Sequence, residues 1–401
     1  MRGLSALGFH LIGKAVFWLK SLHRLAFVCF FWFLFLDWGL IFLKFLIFKR
    51  VSFKILLIYR NIMCNSFIAQ NFRTFKKIKI EKLAKVNLFL GKNSVGKTAL
   101  LEAFYVYLHE NKAEAIHKLL LKKEEHLSSK EDLASVIRHL FHGHKLSSPG
   151  ESGILFSLVE REKAVNSKAV TIATGIKDDS NEFLIIGKDA EKQEYPLTRD
   201  FRSFGPRARI FEESNHKSNL KFVYSTGIDN ADIAELWDNI AFESKQDSVI
   251  EALKIIEKEL SDVAFIDAKY RRGRVAIAKV SGEKVPFKSM GDGINRILYI
   301  ILNMVNAQDG YLLIDEFENG LHYSVQKQVW EVIFTLAESL NVQVFATTHS
   351  SDCIQAFGSQ WKDDEEKATL HRIDYKDKQH SVMPYDFFDL DDALSTNTEV
   401  R

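Results

Sequence analysis

From residue 63 onward, short apolar runs alternate with longer amphipathic stretches. Lys85-Val86-Asn87-Leu88-Phe89-Leu90 is nearly continuous in apolar residues and predicts a buried strand, and Thr98-Ala-Leu-Leu-Glu-Ala-Phe104 opens a helix soon after it. Tyr311-Leu312-Leu313-Ile314 and the run 341–346 repeat the buried-strand pattern. One helix, from Tyr323 to about residue 340, separates them, which is the spacing of adjacent parallel strands. A further apolar helix is predicted from Ile294 to about residue 306. In the long interval before it, residues 99–142 read as helical and charged. Residues 153–159, 169–174 and 182–186 read as strands of an antiparallel side sheet, and 188–219 as polar loop. Residues 232–260 predict a helix with Ala252, Ile255, Ile256 and Leu260 on one face. Residues 263–267 and 274–280 predict a hairpin around Arg271-Arg272-Gly273. The fold class expected is α/β, with a mostly parallel core sheet, an antiparallel side sheet and a helical lid insert. The head is assigned to 63–104 and 281–401, and the insert to 105–280. The insert lacks the sustained heptads of long coiled-coil arms.

The first 62 residues break this pattern. They are rich in Phe, Leu, Ile and Trp, and Asp37 is the only acid before Glu81. The run 25–43 is long enough to span a bilayer. Asp37 inside it opposes insertion, and basic residues on both flanks give no orientation. The expectation is that translation begins at Met63 and that 1–62 is a non-native extension; the alternative is a membrane anchor. The segment also changes the charge argument. The whole chain carries 54 basic and 52 acidic residues, but 1–62 hold nine Lys and Arg against one Asp, so the remainder is net acidic. Overall charge therefore gives no support for nucleic-acid binding, and any such contact is local. Lys269, Arg271, Arg272 and Arg274 form the best basic cluster, for which a solvated hairpin tip is the expected reading. Cys29, Cys64 and Cys353 are far apart and form no C-x-x-C pair, which suits a reducing cytoplasm. His139, His142 and His144 have no local Cys or acid to complete a metal site and read as a helix end and loop.

The chemistry concentrates where the apolar runs end. Gly91-Lys92-Asn93-Ser94-Val95-Gly96-Lys97-Thr98 has the G-x-x-x-x-G-K-T spacing of a phosphate-binding loop. Gly91 and Gly96 allow the backbone to curl so that its N–H groups face phosphate oxygens. Lys97 is expected on the β/γ-phosphates and the Thr98 hydroxyl on Mg²⁺. Asp315 and Glu316 end an apolar strand at the edge where open α/β sheets bind ligands. Asp315 is expected to serve the Mg²⁺ shell and Glu316 to act as general base on water. His349, just past the next strand, is placed to sense a terminal phosphate. Ser289-Met290-Gly291 opens the 294–306 helix; such a turn is an anion site, or simply a helix cap by Ser289 or Asp292.

The order of these four elements resembles the heads of ABC-type ATPases, in the SMC, RecF and overcoming-lysogenisation-defect branch. It is most similar to stand-alone bacterial AAA-family ATPases grouped near abortive-infection toxins. The resemblance spans about residues 66–401, from Asn71-Phe72-Arg73-Thr74-Phe75 to Glu399-Val400-Arg401. It implies that Ser289 and Gly291 contact the nucleotide bound by a second copy, in an ATP-dependent homodimer. It further implies that Gly320-Leu321-His322 crosses the dimer interface and that His349 is the switch histidine. The signature reads Lys-Ser-Met-Gly-Asp rather than Leu-Ser-Gly-Gly-Gln, which argues against a transporter motor. Asn111-Lys112-Ala113-Glu114 lacks the Asp of a guanine reader, so ATP is preferred over GTP. The expected function is ATP hydrolysis in the cytoplasm, in phage defence or DNA maintenance, with DNA or an effector or toxin protein as partner. The rival is an ATP-gated switch with little turnover.

Overall fold

The computed structural model describes residues 63–396 apart from 110–111, 124–132, 149–150, 159–168, 178–180, 189–190, 199–218, 226–229, 242–244, 268–273, 362–363 and 365–366. The apolar run 25–43, Lys269, Arg271, Arg272 and the segment 399–401 lie outside the described residues. Among the described residues no helix is long and apolar enough to cross a membrane.

The described residues open on a hairpin, β1 (Phe67–Phe72) and β2 (Phe75–Ile80), whose buried residues recur on one face: Phe67, Ala69 and Phe72, then Phe75, Ile78 and Ile80. β3 (Val86–Leu90) is buried along its whole length, as a strand covered on both faces must be. It leads through the glycine loop into α1 (Lys97–Leu108). After α2 (Lys112–Lys122) and α3 (Leu133–Ile137), four strands β4 (Ile154–Ser157), β5 (Val170–Lys177), β6 (Asn181–Lys188) and β7 (Glu191–Pro196) extend the first hairpin. The result is an antiparallel sheet of order β2-β1-β4-β5-β6-β7.

β8 (Leu220–Val223) then joins a different sheet, pairing in parallel with β12 (Tyr311–Ile314). β13 (Gln343–Thr348) lies between β12 and β3, and β14 (Ala368–Lys376) flanks β3 on its other side. β15 (Gln379–Tyr385) closes the edge antiparallel, giving the order β15-β14-β3-β13-β12-β8.

Alternation along these strands sorts their side chains between two cores. Leu88, Leu312, Ile314, Val344 and Ala346 face one layer of helices: α6 (Asp292–Asn306), α7 (Tyr323–Ser339) and α8 (Ser351–Gly358). Phe89, Leu313, Phe345 and Ile373 face α1 and the antiparallel sheet. Helix α1 is buried nearly all round because it lies between the two sheets. Its Phe104 stacks on Phe67 of β1 at 4.2 Å and on Phe345 of β13 at 4.4 Å. Asn87 is the one polar side chain inside β3. Its amide donates to the Ala84 and Val344 carbonyls and accepts from the Ala84 N–H and the Thr369 hydroxyl, which satisfies it and ties β3 to both neighbours.

Three expectations change. Residues 105–280 do not stand apart as a lid: β4–β7 continue the sheet of β1 and β2, and β8 is an edge strand of the parallel sheet. Residues 232–260 are not one helix but two, α4 (Asn230–Ala241) and α5 (Gln246–Ile256). Leu260 instead opens β9 (Leu260–Asp267), which pairs with β10 (Arg274–Val280) and, through it, with β11 (Glu283–Pro286). The strand read at 341–346 starts and ends later, because Thr347 and Thr348 are buried within it with their hydroxyls paired to acids.

Candidate functional site

A cleft of about 680 Å³ opens at the carboxyl ends of β3, β12 and β13. Asn93, Ser94, Gly96, Lys97 and Thr98 line one part of it, and Glu316 and His349 another. The two loop glycines are demanded by close approach. A Cβ on Gly91 would stand 2.5 Å from the Ile373 carbonyl oxygen. Gly96 has φ 97°, and a Cβ there would stand 2.6 Å from Thr74 Cγ2 and 2.8 Å from the Phe75 ring.

Lys97 is buried and donates to the carbonyls of Gly91 at 2.7 Å and Lys92 at 2.9 Å. Burial pulls its ammonium below its ordinary value, and Glu318, Glu316 and Asp315 push it back. The Thr98 hydroxyl sits 3.0 Å from both oxygens of Asp315. Thr347 of β13 donates to Asp315 at 2.8 Å and accepts the backbone N–H of Glu316 at 2.9 Å. The ends of β12 and β13 and the glycine loop are thus joined by one hydrogen-bonded chain. Glu316 takes a left-handed φ of 47°, held by that N–H bond and by the Phe317 N–H donating to the Thr347 carbonyl at 2.9 Å. Phe317 stacks on Trp330 of α7 at 4.2 Å, which anchors the loop carrying the acids. A hydroxyl beside a carboxylate is a hard oxygen donor set, and it fits Mg²⁺.

Four features of the site escape a local reading of the sequence. Glu318 accepts the Thr348 hydroxyl at 2.8 Å and the His349 N–H at 2.9 Å, and lies 2.9 Å from His349 Nδ1. Arg296 of α6 is buried and donates to the carbonyls of Tyr224 at 2.5 Å and Asp315 at 3.2 Å, so it ties the end of β12 to the helix after Gly291. Arg73 points its guanidinium to Glu102 at 3.0 Å and to the His139 carbonyl at 3.0 Å, a structural pin at the edge of the cleft. The turn His142–Gly143–His144, read as loop, lines the same cleft. The signal for all four is a partner distant in sequence.

Ser289 and Gly291 do not line the cleft. Ser289 lies in a short 3₁₀ turn (Phe287–Met290), Gly291 has φ 104°, and both are exposed. The Gly320 carbonyl packs beside this turn, 3.2 Å from where a Cβ on Gly293 would stand.

Comparison with known proteins agrees with the motif reading. The chain is 23% identical over 329 residues to an "ATP/GTP phosphatase" of Helicobacter pylori, covering 73% of this chain and 87% of that one. Among solved structures it has a remote likeness to the SMC head domain of Thermotoga maritima, with TM-score 0.44 and 11% identity over 80% of this chain and 98% of that one. A second is the SMC head domain with an extended coiled coil bound to the C-terminal domain of ScpA, derived from Pyrococcus furiosus, with TM-score 0.45 and 13% identity over 84% and 99%. The model of the AAA ATPase domain matches residues 63–243 and 230–354. With its glycine loop and acid pair inside that match, the chain belongs to the AAA ATPase domain family and is an ATPase.

Proposed function

We propose that this chain hydrolyses ATP in the cleft between the glycine loop and the Asp315–Glu316 strand end, and that it works as an ATP-driven dimer. The observation that carries the reading is the chain Thr98–Asp315–Thr347–Glu316, which sets the acid pair against the phosphate loop. Backbone N–H groups from Gly91 to Thr98 and the start of α1 face the phosphates. Lys97 exchanges the Gly91 and Lys92 carbonyls for phosphate oxygens, which its partly offset burial favours. Thr98 and Asp315 would hold Mg²⁺, which would neutralise charge on the transferred group when bound. The Glu316 carboxylate takes the proton of the attacking water. His349, oriented by Glu318, contacts the terminal phosphate.

Ser289 and Gly291 are exposed and away from the cleft of their own chain, which supports their acting on nucleotide held by a second copy. The Gly320 carbonyl lies beside Gly293, two residues on from Gly291, and Gly320-Leu321-His322 would share that interface. The setting we propose is phage defence or DNA maintenance in the cytoplasm, with DNA or an effector protein as partner. It rests on the family resemblance alone.

Phosphate release from ATP tests both parts. Wild type is expected to turn over, and Lys97→Ala and Ser289→Arg each to be inactive alone. Mixed, they regain activity, because one chain supplies the intact loop and the other the intact Ser289. An inactive wild type overturns the hydrolysis, and an inactive mixture overturns the shared site.

A further inference from the structure

The cleft has a second wall besides the glycine loop and the acids: the turn His142–Gly143–His144, beside Thr74. Strand order says which end of a nucleotide it meets. The acids leave the parallel sheet on β12, two strands to one side of β3. The Thr98–Asp315 contact therefore ties the terminal phosphates to that side. The turn belongs to the other side. It rests on the β1–β2 hairpin, whose Thr74 and Phe75 abut Gly96. Phe75 meets, edge-on at 4.7 Å, the ring of His380 on β15, beyond β14. Burial disfavours the charged form of His380; the nearby Val95 backbone favours it and nearby His142 opposes it.

The turn is firmly built. The Arg73 N–H donates to the Leu140 carbonyl at 2.7 Å, the Arg73 guanidinium to the His139 carbonyl at 3.0 Å, and Phe72 bridges to Phe141. The ring of His144 lies across that of His139, with centroids 5.4 Å apart. His142 Nδ1 is 3.1 Å from the Arg73 carbonyl oxygen. A carbonyl can only accept, so Nδ1 carries the proton and, in the neutral ring, Nε2 is an acceptor. An acceptor does not suit phosphate oxygens, which also accept. It suits an N–H or O–H donor. Both rings are exposed at the cleft, and a Cβ on Gly143 would meet nothing within 4 Å, so the wall is open to a ligand.

We propose that the His142–Gly143–His144 turn is the nucleoside subsite of the cleft. It takes the sugar and base of a nucleotide whose phosphates lie on the glycine loop, and His142 Nε2 accepts a hydrogen bond from a ribose hydroxyl or an exocyclic base amine. The assignment rests on the cleft being the ATP site.

Calorimetric binding with Mg²⁺ tests it, using ATP, 2′-deoxy-ATP, 3′-deoxy-ATP, inosine triphosphate and inorganic tripolyphosphate. The His142→Ala/His144→Ala variant is expected to bind ATP about tenfold more weakly and tripolyphosphate as wild type does. Retained tripolyphosphate binding also shows the loop still folded. One of the two deoxy-ATPs or inosine triphosphate, lacking the donor, binds wild type more weakly and loses nothing further in the variant. Which one does so tells sugar from base. Unchanged ATP affinity in the variant, an equal loss for tripolyphosphate, or the same further loss for all three donor-deleted nucleotides as for ATP overturns the proposal. Lys97→Ala is the separate control: it should weaken ATP and tripolyphosphate together, and if it weakens neither, the phosphate site itself is wrong.

Discussion

Replacing Glu318 tests whether the geometry around His349 has the role assigned to it. One oxygen of its carboxylate accepts the Thr348 hydroxyl, and the other accepts the His349 N–H and faces His349 Nδ1, all within 2.8–2.9 Å. A hydrogen bond to an ionised group contributes about 1.5–3 kcal/mol. The imidazole contact counts for less, because the His349 side chain is 45% exposed. Glu318→Ala removes all three contacts, though Thr348 keeps the Ser350 N–H as a donor to its oxygen. The expected loss of stability is about 2–4 kcal/mol, with the buried hydroxyl and the His349 N–H as its main sources. Turnover should fall about 10- to 100-fold, because His349 loses its orientation while the glycine loop is untouched. Nucleotide affinity should change little. Glu318→Gln keeps an acceptor for the N–H and can donate to the Thr348 oxygen, so it should fall between wild type and Ala. Urea unfolding, steady-state phosphate release and calorimetric binding read the three quantities. A folded Ala variant with wild-type turnover would refute the role given to Glu318.

Other outcomes follow from single features. Gly91→Ala should abolish measurable ATP binding and lower the melting temperature, since its Cβ would stand 2.5 Å from the Ile373 carbonyl and push β14 from β3; a variant that binds normally contradicts the packing. Asn87→Leu should destabilise by about 3 kcal/mol or more in urea unfolding, because it strands the Ala84 N–H and the Thr369 hydroxyl inside the sheet. His371 is buried against Phe89, and burial holds its pKa at about 4. The unfolded ring binds a proton at higher pH than the folded one, so stability falls as pH drops from about 6.5 to 4, by up to about 3 kcal/mol. His371→Phe should flatten that part of the stability–pH curve, and an unchanged slope contradicts the assignment.

The parts of the site that were legible in the sequence are those whose physics is local. Val86 to Leu90 is apolar but for Asn87, and Tyr311 to Ile314 is apolar throughout; each declares a central strand, and the glycines or acids at its end declare the ligand edge. Helix α1 follows from the same run. What was hidden depends on partners far along the chain. Glu318 reads as one more acid until Thr348 and His349, about thirty residues on, come beside it. Arg73 has no acid near it in sequence, and only the fold brings Glu102 and the His139 carbonyl to its guanidinium. β8 is four residues in a polar region, and only pairing with Tyr311–Ile314 makes it a strand of the core sheet. The histidine turn has no periodicity of its own and is brought to the cleft by the hairpin it rests on.

The central claim is that Glu316, held in a left-handed conformation at the end of β12, activates the water that cleaves ATP. Glu316→Gln keeps the side chain's size and removes its basicity. ATP binding should persist at wild-type affinity while phosphate release falls at least about 10²-fold, and the chain should accumulate as an ATP-bound dimer. Undiminished phosphate release by a variant that still binds ATP would contradict the account.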